Sequence, residues 1–202
     1  MKIYTRRGDK GKTDLRSGDR VSKASPRIEA YGNVDEANAF IGFAVANLDS
    51  EEYQDVVEVL EEVQNHLFVA QADLANPNKT EKTENDDSSD GDDNDDTPRI
   101  TDEDVEWLED RCYDFDAELP ELQSFILPSG APSGSSLHLA RTVTRRAERR
   151  VVALVDELES EGKETQQVEN VLKYLNRVSD LLFVLGRVVN SREGVEEESP
   201  QY

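Results

Sequence analysis

The chain is poor in the residues that most often carry chemistry. Its 202 residues include one cysteine, two histidines, one methionine and one tryptophan, and 23 Lys and Arg stand against 45 Asp and Glu. A single thiol, Cys112, excludes an intramolecular disulfide framework and argues against a zinc or iron–sulfur cluster, so a small buried hydrophobe is its favoured reading. His66 and His138 lie far apart and neither falls in an H-E-x-x-H spacing, so no protein-built transition-metal site is expected. No stretch approaches the roughly 20 apolar residues of a membrane span. The N-terminus, Met1 to Thr5, lacks the apolar run of a secretion signal, and the expected location is the cytoplasm. A net charge of −22 argues against nonspecific binding to nucleic acid or to an anionic membrane. The same acidic, lysine-poor balance suits very high ionic strength, where the Debye length falls to about 3 Å and self-repulsion is screened, so a halophilic source is expected.

What is present is helical periodicity, with 36% hydrophobic residues, enough for one core. A first helix is expected after Gly32, with Asn33 and Glu36 as a capping box and Val34, Ala37, Ile41, Val45 and Leu48 as its stripe. Val56, Leu60, Val63, Leu67, Ala70 and Leu74 alternate spacings of four and three, as a bundle seam requires, and His66 falls just off that seam. From Asn76 to Arg99 the pattern dissolves into polar residues, with an aspartate-rich run from Asp86 to Asp96, and is expected to be a disordered inter-helix insert. Its spacing does not match a calcium loop. Thr101 with Asp104 opens a third helix carrying Val105, Leu108, Cys112, Phe115 and Leu119, which ends before Pro120. The linker Phe125 to Pro132 is expected to cross the bundle end in extended form. The fourth helix buries Leu137, Ala140, Thr144, Ala147, Val151, Leu154 and Leu158 and stops at Gly162. The fifth, from about Gln166 to Asn190, repeats the seam with Val168, Leu172, Leu175, Ser179, Leu182, Leu185 and Val189, and the acidic tail after Gly194 is expected to fray. The fold class is therefore all-α, a single-domain antiparallel five-helix bundle over residues 1–202 preceded by an extended loop.

Two basic clusters interrupt this acidic chain. Thr5-Arg6-Arg7-Gly8-Asp9-Lys10-Gly11-Lys12-Thr13 packs two glycines among four cations, the composition of a loop that turns backbone N–H groups toward phosphate oxygens; a plain surface turn is the alternative. Arg141, Arg145, Arg146, Arg149 and Arg150 fall within ten residues of the fourth helix, where Arg141, Arg145 and Glu148 share one face and Arg149 extends the row. That row is either a solvated face with intrahelical pairs such as Arg145 with Glu148, or a seat for a polyanion such as a triphosphate. Asn176, among the apolar seam positions of the fifth helix, is either a ligand contact or a satisfied interhelical hydrogen bond.

With these residues together, the chain resembles the ATP:cob(I)alamin adenosyltransferases of the propanediol-utilisation type, a family of trimeric five-helix bundles. The blocks that carry the resemblance are Tyr4 to Gly11, Ala30 to Glu36, Phe125 to Pro128, Leu139 to Arg150 and Tyr174 to Leu182, in the family's order. The resemblance implies ATP, with magnesium, at a subunit interface. Thr5, Arg6, Arg7, Gly8, Thr13 and Lys23 of one chain would bind it together with Arg145, Arg146, Glu148, Arg149 and Asn176 of a neighbour, Arg145 being the most sensitive. It implies an Asp35–Arg141 salt bridge shaping the corrin side, and Phe125 on the lower face of cobalt, where it favours the four-coordinate cobalt(II) state that is easier to reduce. It implies that cob(I)alamin is itself the nucleophile, which accords with the absence of a histidine, serine or cysteine nucleophile among the motifs. A flavoprotein electron donor and a B12-dependent client enzyme are the partners implied. Arg7, Asp14 and Ser129 depart from the family pattern, where small hydroxyl residues and a glycine are commoner. A cobalamin escort or nucleotide sensor that no longer turns over is the competing reading.

Overall fold

The computed structural model describes residues 4–15, 17–76 and 98–201. Most of the acidic insert expected between Asn76 and Arg99 lies outside the described residues. Two short strands, β1 (Lys12–Asp14) and β2 (Arg20–Ser22), pair antiparallel with Thr13 opposite Val21. Five helices follow: α1 (Pro26–Val45), α2 (Gln54–Ala75), α3 (Asp102–Asp116), α4 (Pro132–Ser160) and α5 (Gln166–Arg192). The short α1–α2 and α4–α5 connections make those pairs antiparallel neighbours. Helix α4 packs against both α1 and α5, α1 also packs against α2, and α3 covers α5.

The seams read from spacing are the core. All six α2 seam residues are fully buried, as are Leu137, Ala140, Thr144, Ala147, Val151 and Leu154 of α4, and Leu175, Leu182, Leu185 and Val189 of α5. Each such leucine contributes about 1.5–3 kcal/mol of transfer free energy, so the α2, α4 and α5 seams carry much of the fold's stability. Thr101 caps α3 as a capping box: its hydroxyl accepts from the Asp104 N–H, and the Asp104 carboxylate accepts from the Thr101 N–H. Gly162 ends α4 with a φ of +68°. Among the described residues no helix is long and apolar enough to cross a membrane.

Three expectations need correction. Helix α1 begins at Pro26, after Ser25, well before Gly32. Proline is pre-set for the first helical position, and the early turns bury Arg27 and Ala30, so packing extends the helix past the spacing signal. Asn33 is therefore helix interior and donates from Nδ2 to the Glu29 carbonyl at 2.8 Å, while Glu36 pairs with Arg146 rather than capping anything. Of the α1 stripe, Val45 is only partly buried, and Ala30 and Ala44 complete the buried face. The tail after Gly194 does not fray: Glu197 pairs with Arg187, and the Glu198 carbonyl accepts from the Leu127 N–H at 2.7 Å.

Candidate active site

The N-terminal loop folds over the start of α1. Arg6 sits at φ 62°, the only non-glycine residue with positive φ among the described residues, a conformation that persists only where surrounding structure holds it. Gly8 lies under the Lys23 ammonium, which would stand 2.9 Å from a β-carbon placed there. Any larger residue at Gly8 would displace that cation. The Lys23 N–H closes the loop on the Gly11 carbonyl at 2.9 Å. Thr13, Lys23, Ile28, Glu29, Tyr31, Gly32 and Asn33 line an open cavity of about 430 Å³ between hairpin and helix. Burial raises the Tyr31 phenol above its ordinary range, so it stays a neutral donor.

Arg7 and Asp14, which depart separately from the family pattern, belong to one contact. The Asp14 carboxylate pairs with Arg7 at 3.1 Å and with Arg20 at 3.3 Å, and Arg20 donates to the Arg7 carbonyl at 2.5 Å. Strand register brings Asp14 opposite Arg20. Sequence reading missed Arg20 and Tyr31; a hairpin pairing Asp14 with a basic residue on the return strand is the signal that could have found Arg20.

The α4 arginines divide between two faces. Arg146 points at α1, with its guanidinium 2.5 Å from Glu36 and Nε donating to Asn33 Oδ1 at 3.3 Å; Arg150 approaches Glu29 at 3.8 Å. Arg141, Arg145 and Arg149 form the other row, and none of them pairs with a carboxylate among the described residues. The intrahelical Arg145–Glu148 pair allowed by spacing does not form. Glu148 instead accepts from Asn176 Nδ2 at 3.0 Å, joining α4 to α5, while Asn176 Oδ1 accepts from Arg177 at 2.8 Å. Arg145 is exposed and uses only its carbonyl, which accepts from Arg149 Nη1 at 2.9 Å. Arg141 is half-buried, its Nε is buried without a hydrogen-bond partner, and its guanidinium lies 5.8 Å from the Phe183 ring centre. Burial, and then the Arg145 charge, push Arg141 below the usual guanidinium range. A cation so placed demands an anion, and the described residues of its own chain place none against it.

Asp35 is exposed on α1 and makes no ion pair among the described residues, and Phe125 stands 81% exposed on the linker before α4. The sequence-derived residues thus gather in three places: the loop and its cavity, the arginine face beside Glu148 and Asn176, and the Phe125 linker. No α4 arginine lines the cavity.

The profile of the family described as Cobalamin adenosyltransferase matches residues 3–189. The chain belongs to the cobalamin adenosyltransferase family. It is 45% identical over 196 residues to a corrinoid adenosyltransferase of Bacillus subtilis, covering 96% of this chain and 90% of that one. It is 44% identical over 189 residues to that of Mycobacterium tuberculosis, covering 94% and 89%. Among solved structures, a phenylalanine variant of the PduO-type ATP:corrinoid adenosyltransferase from Lactobacillus reuteri, complexed with cobalamin and ATP, superposes with a TM-score of 0.82 at 34% identity over all of both chains. Five helices with almost no strand are the architecture this adenosyltransferase shares with that structure.

Proposed function

We propose that the protein transfers the 5′-deoxyadenosyl group of ATP to cob(I)alamin, giving adenosylcobalamin and triphosphate. The observation that carries the reading is the row Arg141, Arg145 and Arg149: three cations without a carboxylate partner among the described residues of a chain with 45 acidic residues. The family, and relatives named for this activity, support it.

Cobalt(I) attacks the ribose C5′ with its electron pair, the C5′–O bond breaks, and that bond's electrons leave on triphosphate. The protein has to align cobalt with C5′, exclude water and neutralise the departing charge. Thr5, Arg6, Arg7, Gly8, Thr13 and Lys23 bind the nucleotide from the loop side. Arg145, Arg149 and Arg146 face its phosphates from α4, with Arg145 opposite the leaving charge and Glu148 held against Asn176 for the adenosine. Asp35 of one protomer pairs with Arg141 of its neighbour on the corrin side, and Phe125 faces the corrin. Magnesium would arrive on the triphosphate.

The loop cavity and the arginine row are separate in one chain, which supports a homotrimer whose sites form between protomers. Cytoplasmic location, a salt-rich cell, a flavoprotein electron donor and a B12-dependent client complete the reading. The test is an anaerobic reaction in molar potassium chloride with ATP, magnesium and chemically reduced cobalamin, following cob(I)alamin absorbance and identifying products. Adenosylcobalamin with triphosphate is expected. Saturable ATP binding without product would replace the transferase with an escort or sensor.

A further inference from the structure

The linker that carries Phe125 is anchored on both sides of Phe125, whose side chain is left exposed. Its start is held by Arg187 of α5, only 3% exposed, whose Nη2 donates to the Pro120 carbonyl at 3.0 Å. Its end is held by Asn190, one turn further along α5. Asn190 Oδ1 accepts from the Ala131 N–H at 3.1 Å, and Nδ2 donates to the Ser129 carbonyl at 2.9 Å. Gly130 and Gly134 permit this approach, since a β-carbon at either would fall 2.3 or 2.2 Å from Asn190 Oδ1.

Between those anchors the C-terminal tail lies across the linker. The Leu127 N–H donates to the Glu198 carbonyl at 2.7 Å, and the Ser124 and Ser199 hydroxyls bond at 2.7 Å, so the two contacts bracket Phe125. The tail is held by the same buried guanidinium that holds Pro120. Arg187 Nε donates to Glu197 Oε1 at 2.6 Å and Nη2 to Glu197 Oε2 at 3.3 Å, with Asp116 further off at 3.8 Å. Beside the tail a cavity of about 330 Å³ opens among Leu119, Pro120, Ser191, Gly194, Val195 and Glu197.

We propose that Arg187 and Glu197 are positioning residues for Phe125, acting through the tail they hold across its linker. The proposal rests on the corrin-facing role given to Phe125 above. A phenyl ring 81% exposed has few packing contacts of its own to fix its direction. Its aim is therefore set by the backbone on either side, and that backbone is bonded to Glu198 and, through its neighbouring serine, to Ser199. The buried Arg187 fixes Glu197, the residue before them, and an unpartnered buried guanidinium is costly enough to keep the strap closed.

The test is a double-mutant cycle on the full chain with Glu197→Gln and Phe125→Ala, reading KM separately for ATP and for the corrinoid. Glu197→Gln preserves shape and one acceptor while removing the charge. It is expected to raise the corrinoid KM about fivefold, equivalent to about 1 kcal/mol, with the ATP KM unchanged. In the Phe125→Ala background the same substitution is expected to add nothing. Equal rises in both KM values would mean general loosening and overturn the proposal, as would effects that multiply independently of Phe125. Deletion of residues 195–202 is the stronger form of the perturbation, and a normal corrinoid KM in that chain also overturns it. A defective Phe125→Ala beside a normal Glu197→Gln removes the strap alone, whereas a normal Phe125→Ala removes the corrin-facing reading of Phe125 and the strap with it.

Discussion

Replacing Arg145 with alanine separates catalysis from folding more cleanly than any other single change in this chain. The side chain is exposed and pairs with no carboxylate among the described residues, and the side-chain bond that reaches the residue, from Arg149, ends on its backbone carbonyl, which alanine keeps. The folding cost should stay within about 0.5 kcal/mol, typical of a surface substitution. For a chain of this size that moves the melting temperature by about 1–2 °C. Opposite a leaving triphosphate, loss of one preorganised charge contact costs about 2.7–4 kcal/mol, or about 10²–10³ in turnover. The assay is anaerobic loss of cob(I)alamin absorbance at saturating ATP, beside a thermal melt of each variant. Arg145→Lys should fall between parent and alanine, because it restores the charge without the planar fork. Arg146→Ala is the comparison: its guanidinium already joins α4 to Glu36 and Asn33 of α1 in a half-exposed pair worth at most about 1 kcal/mol, so its loss should lower turnover less than the loss of Arg145. Turnover of Arg145→Ala within about threefold of the parent would refute the reasoning. A large loss in Arg146→Ala beside a small one in Arg145→Ala would reverse the roles given to the two faces.

Other outcomes follow from charge and burial. With a net charge of −22, the melting temperature should fall as salt is reduced from about 1 M to about 0.01 M, since the Debye length grows from about 3 to about 30 Å; a flat thermal melt across that series would remove the halophilic reading. His138 is buried, and burial followed by the Arg141 charge lowers its pKa, with Glu197 opposing. The unfolded chain then takes up its proton first as pH falls through about 6.5, so stability contributed by neutral His138 is present above that pH and lost below it. Melting temperatures between pH 7 and 5 should show this fall, and His138→Leu should flatten it; an unchanged slope would count against it. Asp14→Ser frees Arg7 and Arg20, and because the pairs are exposed it should raise the ATP KM by no more than about fivefold at low salt, with the difference closing in molar salt. A KM identical to the parent's at every salt concentration would mean that the clamp does not shape the loop.

Periodicity was legible because packing enforces it over many turns. The α2 seam could be read residue by residue, and the Thr101 box is a contact made three residues apart. The same local pattern misled at Asn33, where a polar residue with Glu three positions on also occurs inside helices; the true start depends on Arg27 and Ala30 finding partners in distant elements. The docked tail was invisible for a related reason. Glu197 stands among consecutive glutamates that read as frayed, and only the fold shows a buried guanidinium ten residues earlier waiting for one of them. Residue types marked the α4 arginines as candidates, but which of them were already neutralised could not be read without knowing which α1 carboxylates face α4.

The division of the arginine helix follows from the 100° step between consecutive residues. Arg146 lies one step round from Arg145, enough to turn it from solvent toward α1, where Glu36 and Asn33 wait; Arg150 repeats the placement one turn later against Glu29. Helix α1 therefore neutralises one row and leaves Arg141, Arg145 and Arg149 bare. The carboxylate best spaced to quench Arg145 from its own helix, Glu148, is instead engaged by Asn176 across the α4–α5 contact. Were Asn176 apolar, Glu148 would lose that donor, and its nearest alternative cation by helical spacing would be Arg145 itself. The amide thus does two things at once: it ties α5 to α4, and it holds a carboxylate away from the arginine row. In a chain with twice as many acids as bases, keeping three cations free requires that nearby carboxylates be engaged elsewhere, and Glu29, Glu36 and Glu148 are each so engaged.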